Sequence, residues 1–193
     1  MDAGFPFVSH GRTEFYSPHP FHDFDAETFV DQAVARLLKR GHRRFLLAAE
    51  DNGTMNVFNV VTAFRRAMAK EGLTAEIVTE PATLSTAAAA RLFAEKLAEQ
   101  SQSPDALIAI NELTALSIIG GLAHKGRVLG RDFDLICKQT TEILPTMHPA
   151  MDTIQEDLFL TGQELAKLLI RRIEGEDMGA LRSLQEPICH WRG

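Results

Sequence analysis

The sequence predicts an α/β fold built on a parallel sheet with helices on both faces. Two features carry that expectation. From about residue 25, apolar residues at helical spacing alternate with short apolar runs, and the runs are apolar throughout, as in strands buried on both sides. In the first helix Val30, Ala33, Val34, Leu37 and Leu38 lie on one stripe. Asp25 and Glu27 suit its positive end, Lys39 and Arg40 its negative end, and Gly41 its left-handed stop. Phe45 to Ala49 reads as a buried strand ended by the turn Asp51-Asn52-Gly53. A second helix carries Val57, Val60, Val61, Phe64 and Met68 and stops at Lys70-Glu71-Gly72, before a short strand from Ala75 to Val78.

Ser85 is expected to cap an alanine-rich helix running to Leu97, with a polar loop from Gln100 to Pro104. Ala106 to Ile110 is the next strand, and Asn111 is placed to cap the helix from Leu113 to His124. Asp134 to Cys137 forms another strand, followed by a long loop, Lys138 to Asp152, whose Pro145 and Pro149 prevent continuous helix. The last helix is expected to bury Leu158, Leu165, Leu168, Leu169 and Ile173 and to end at Gly175. Leu184 to His190 reads as one closing strand, kept to an edge by Pro187.

A chain of 193 residues, 45% hydrophobic and 24% charged, suits one large domain or two small ones. Twenty Lys+Arg against 26 Asp+Glu leave a net charge of -6, which argues against nucleic-acid binding by these residues. No apolar stretch is long enough to span a membrane, and nothing at Met1 reads as an export signal. Cys137 and Cys189 form no CxxC pair, so a reducing cytoplasm is the expected location.

The sequence has no GxSxG, GxxxxGK[ST] or strand-following GxGxxG motif, and no catalytic residue is proposed from it. Cys137, after an apolar strand, reads as a small buried hydrophobe and not a nucleophile. Gly120-Gly121 within a helix reads as a close-packing device. His19, His22, Asp23 and Asp25 form a dense group, but Pro18 and Pro20 extend the chain there, so a solvated loop is expected and no metal. The basic strings Lys39-Arg40, His42-Arg43-Arg44 and Arg171-Arg172 read as solvated helix ends.

In parallel sheets, ligands bind beyond the carboxyl ends of the strands. Thr54, Asn56, Asn111 and Gln139 each follow a predicted strand there, although Asn111 and Asn56 also make good helix caps. Together these uncharged amides and hydroxyls suit a neutral polyhydroxyl ligand. Asp25 joins them as a candidate contact, although capping the first helix already accounts for it. The same alternation fits a flavodoxin-like enzyme or cofactor carrier. Against that, the Glu50-Asp51-Asn52-Gly53 turn has one glycine and two acids, a poor cradle for phosphate. An exported sugar-binding protein shares the fold but needs a signal sequence.

The text also resembles the lactose/galactose-repressor (LacI/GalR) family of bacterial transcription regulators. The match runs through Pro6-Phe7-Val8 with Gly11-Arg12, Asp25 to Arg44, Ala63 to Met68 and Glu71-Gly72-Leu73. Its most specific part is Pro104 to Leu116, followed by Gly126, Asp132 to Ile136, Pro149 to Asp157, Gly162 and Leu168 to Gly175. The resemblance implies a two-lobed, periplasmic-binding-protein-like sensor that holds a small effector between its lobes, needs no cofactor, and acts as a homodimer on operator DNA. It implies a second lobe from 13–148 with 179–193, and a remnant of the first from 1–12 and 149–178. The family's helix-turn-helix head and most of its first lobe have no counterpart, so operator binding is expected only of a parent protein.

Asn111 matches an effector-facing family position, and Thr54 and Asn56 match polar contacts. Val60, Gln139 and Gly11 stand where members often use an arginine and two aspartates. In the family's topology the helix from Leu158 to Ile173 packs on the first lobe. Its apolar stripe is therefore expected to cover itself with a partner chain or to rearrange onto what remains.

Overall fold

The computed structural model describes residues 5–13 and 19–192. Pro18, used above to argue for an extended chain, lies outside them, as do the ends of the expected lobe segments at 1–4 and 193. The described residues form two sheets. The larger combines β3 (Phe45–Ala48), β4 (Glu76–Val78), β5 (Ala106–Ala109), β6 (Asp134–Gln139), β7 (Thr153–Gln155) and β9 (Ile188–His190), in the order β4-β3-β5-β6-β7-β9. All its pairs are parallel except β7 with β9. The smaller is a parallel ribbon, β1 (Ser9–His10), β2 (Phe21–Phe24) and β8 (Arg182–Gln185), in the order β1-β2-β8.

Alternation along the large sheet's strands builds two cores. Phe45, Leu47, Ile108 and Ile136 face α1 (Ala26–Lys39) and α2 (Met55–Lys70), where Phe29, Leu37, Phe64 and Met68 bury themselves. Leu46, Leu107 and Leu135 face α4 (Ala87–Ala98) and α5 (Glu112–His124) on the opposite side. α1 starts at Asp25, whose carboxylate accepts the Thr28 amide at 3.0 Å, and stops before Gly41 at φ +92°. Gly121 shows why α5 needs a glycine: a Cβ there would lie 2.7 Å from Ala94 Cβ and collide with the Arg91 carbonyl of α4. Gly120, in contrast, has open space.

Several expectations need correcting, among them the solvated loop at His19 to Asp25, where Phe21–Phe24 is a strand and His19, His22 and Asp23 are buried. The alanine-rich helix is capped by Thr86, not Ser85, because Pro81 initiates a separate short helix, α3 (Pro81–Leu84), that Ser85 closes. The strand ending at Cys137 continues to Gln139, and the following loop contains a short helix, α6 (Ile143–Met147). The single closing strand is two strands in different sheets, β8 and β9, divided at Pro187.

The last helix, α7 (Leu158–Ile173), does not bury its whole stripe. Leu168 is buried, but Leu158 is 49% and Ile173 64% exposed. The reason is supply: α7 packs on β2 of a three-stranded ribbon, too narrow to cover the stripe. β2 and β8 belong to the small sheet and β7 to the large one, so the chain changes sheet after Phe24, Gln155 and Gln185. No helix among the described residues is long and apolar enough to cross a membrane.

Candidate functional site

The carboxyl ends of β1, β2, β3, β6 and β7 open onto one cleft of about 860 Å³ between the two sheets. The small sheet contributes His10, Gly11, Arg12, Thr13, Asp23 and Phe24. The large sheet contributes the turn and helix start from Asn52 to Asn56, together with Lys138. Glu156 and Leu158 come from the link that leaves β7 for α7.

The Asn52 wall is built locally. Gly53 takes a left-handed φ of +72°, and its amide donates to Asp51 Oδ1 at 2.9 Å. Asn52 Oδ1 accepts both the Thr54 amide at 3.2 Å and the Thr54 hydroxyl at 2.7 Å. Thr54 occupies the α2 N-cap position without capping, and its oxygen lone pairs stay available to a ligand. The Asn56 side chain, half-buried in the first turn of α2, makes no hydrogen bond with the described residues.

The cleft's charges are paired with one another. Arg12 Nε donates to Asp23 Oδ2 at 2.7 Å. Lys138 Nζ donates to Glu156 Oε2 at 2.6 Å and lies 5.3 Å from the centre of the Phe24 ring. His10 Nε2 lies 3.3 Å from Glu156 Oε1. Burial alone would raise the Glu156 carboxyl, but the hydrogen bond from His10 and the nearby Lys138 charge more than offset it, leaving Glu156 below the usual range. The hydrogen bond to Glu156 in turn holds His10 above the usual imidazole value, despite its partial burial.

Of the five residues singled out from sequence, the structure brings Thr54 and Asn56 into the cleft. The other three side chains are used inside the fold. Asn111 Oδ1 accepts the Thr114 amide at 2.8 Å as the cap of α5. Asp25 caps α1 and also accepts the Thr28 hydroxyl at 2.7 Å. Gln139, still within β6 and buried, accepts the Thr153 hydroxyl at 2.7 Å.

Sequence reasoning gave no ligand role to His10, Arg12, Lys138 or Glu156, and named Asp23 only among the metal candidates. The rule of looking just past each strand does find Gly11 and Glu156, but only once β1 and β7 are recognised, and these strands are two and three residues long.

Among the described residues no group of His, Cys, Asp and Glu side chains is placed to hold a metal ion. His19 sits 3.2 Å from the Thr13 hydroxyl, His22 2.8 Å from that of Ser183, and Asp23 is engaged by Arg12. Cys137 is fully buried, and burial pushes its thiol well above the usual value, away from the nucleophilic thiolate.

A family model described as a periplasmic binding protein-like domain matches residues 34–193. The HTH-type transcriptional regulator CelR of Thermobifida fusca is 24% identical over 190 residues, covering 96% of this chain and 55% of that protein. The HTH-type transcriptional repressor PurR of Vibrio atlanticus is 22% identical over 148 residues, covering 75% and 43% respectively. The chain thus spans about half the length of the curated relatives it matches.

Among solved structures, a LacI-family regulatory protein from Chloroflexus aggregans superposes with a TM-score of 0.86 at 21% identity, over 98% of this chain and 68% of that one. A CelR–cellobiose complex gives 0.83 at 23% identity, over 98% and 58%. The Lac repressor bound to ONPG gives 0.85 at 18% identity, over 99% and 57%. The chain belongs to the periplasmic binding protein-like domain family, and its resemblance within that family is to the effector-binding domains of LacI-type transcription regulators.

Proposed function

We propose that this chain is the effector-sensing portion of a cytoplasmic, homodimeric LacI-type repressor, and that its cleft takes a neutral saccharide. One observation carries the ligand class. The cleft's charged groups are matched with one another, Arg12 with Asp23 and Lys138 with Glu156, while the Asn56 amide and the lone pairs of the Thr54 hydroxyl remain available. An ionic ligand would add a charge that the paired groups leave uncompensated, whereas hydroxyl groups can bond to the outer lone pairs and N–H groups of intact pairs without desolvating an ion. The similar structures that hold cellobiose and ONPG support the same class.

A ligand touching both walls favours the lobe arrangement that brings them together. By linkage it changes operator affinity to the extent that the two arrangements bind DNA unequally. Operator contact is assigned to a helix-turn-helix head, not to these acidic residues. No step of catalysis is assigned to the cleft, and the buried Cys137 supports that reading.

Thermal-shift screening against neutral saccharides, including cellobiose and ribose, tests the ligand class. Stabilisation by a sugar that is lost in Asn56→Ala is expected, whereas a response confined to nucleobases or sugar phosphates would overturn the saccharide. Light scattering tests the dimer, for which the exposed stripe of α7 offers apolar surface. A stable monomer would remove it.

A further inference from the structure

We propose that His10, Glu156 and Lys138 form a proton-dependent tie between the two walls of the cleft, tightened in mild acid and loosened in alkali. The geometry rests on one carboxylate. Glu156 sits in the link between the sheets, with His10 of the small sheet 3.3 Å from Oε1 and Lys138 of the large sheet 2.6 Å from Oε2. Its side chain is 5% exposed, so its charge depends on those partners and not on water. His10 is the imidazole of the three, the side-chain type that changes charge near neutral pH, and its side chain, 46% exposed, can exchange a proton with solvent.

The other groups around His10 leave this exchange intact. Asp23 of β2 is already matched by Arg12 at 2.7 Å. His22, the register partner of His10 on β2, is kept neutral by burial and adds no like charge near pH 7. The Lys138 charge opposes protonation of His10, but Glu156 stands between them, and its hydrogen bond raises His10 overall. An imidazolium here draws β1 toward Glu156 with a charged hydrogen bond, whereas a neutral ring offers at most one uncharged N–H and leaves Lys138 as the cation on Glu156.

The tie goes beyond the effector reading and does not depend on it. Its test uses no effector, so either proposal can fail without the other. The His10 ring is followed by NMR across a pH titration of the full chain, in wild type and in Glu156→Gln. Protection of the β1 amides from exchange, corrected for intrinsic rates, is compared in wild type and His10→Gln at about pH 6 and about pH 8.5. The tie predicts a His10 midpoint above the ordinary 6.5 that falls in Glu156→Gln, and β1 protection that drops on going to alkali in wild type only. A His10 midpoint at or below the ordinary value overturns it. So does β1 protection that responds to pH equally in His10→Gln, a readout that stands even if Glu156→Gln does not fold.

Discussion

The two sheets of this protein are held in opposite ways. The large sheet is sandwiched, with α1 and α2 on one face and α4 and α5 on the other, and its β3 and β5 strands are buried at every position. The small ribbon is covered by one helix, α7, and its strands carry His22, Asp23, Ser183 and Gln185 among their apolar residues. Cohesion in the first comes from apolar volume, and in the second largely from specific polar pairs such as His22 with Ser183 and Gln185 with the Asp157 carbonyl at 2.9 Å. Volume is insensitive to pH, while a pair that contains a histidine, such as His22 with Ser183, is not. The cleft lies where the two kinds of wall meet, with the Asn52–Asn56 turn on the sandwiched side facing the polar ribbon.

Substitutions can break this contrast. The largest effect is expected at Phe64, fully buried between α2 and the large sheet: Phe64→Ala should cost about 3–5 kcal/mol in denaturant unfolding. A loss under 1 kcal/mol would show that the sandwiched core is not what holds the fold. Gly121→Ala forces a methyl against the Ala94 side chain and the Arg91 carbonyl, and should cost about 1–3 kcal/mol by the same measurement.

The ribbon should answer to pH instead. Burial lowers His22 from the ordinary 6.5, and its Nε2 has no hydrogen-bond partner among the described residues. As pH falls below 6.5 the unfolded chain takes up a proton that the folded chain resists, so stability is lost until the lowered folded value is passed. His10 has the opposite sign: its contribution is complete below 6.5 and disappears as pH rises through its raised value. Thermal unfolding against pH should therefore fall on the acid side of 6.5, and His22→Asn should flatten that fall; an unchanged slope would sharpen attention on Glu156 instead. The smallest effect is expected at Phe159, 74% exposed, where Phe159→Ser should change monomer stability by no more than about 0.5 kcal/mol. A larger loss that depends on protein concentration would mean that α7 is covered by a second copy.

The parts of the fold legible in the sequence follow the same division. Apolar runs such as Phe-Leu-Leu-Ala at 45–48 announce their strands because both faces are buried, and helix ends such as Asp25 and Gly41 announce themselves through local backbone chemistry. β1, β2 and β8 are too short and too polar to show a period, so the wall they build went unread. Asn111 and Gln139 show the converse limit. Both types suit a ligand, but one is taken by the Thr114 amide and the other by Thr153, a residue 14 positions away. Thr54 and Asn56 remained readable because their turn is organised within a few residues.

Sequence by itself determined the alternation of helix and strand, the caps and left-handed stops, and the α/β class, since each depends on side chains within one turn or one strand. Tertiary structure alone decided that the closing segment divides between two sheets, that α7 leaves part of its stripe in water, and that Lys138, Glu156 and His10 share a carboxylate. Those outcomes depend on which distant surfaces are available to pack against, and on electrostatic pairs between residues up to 146 positions apart, neither of which is encoded in local pattern.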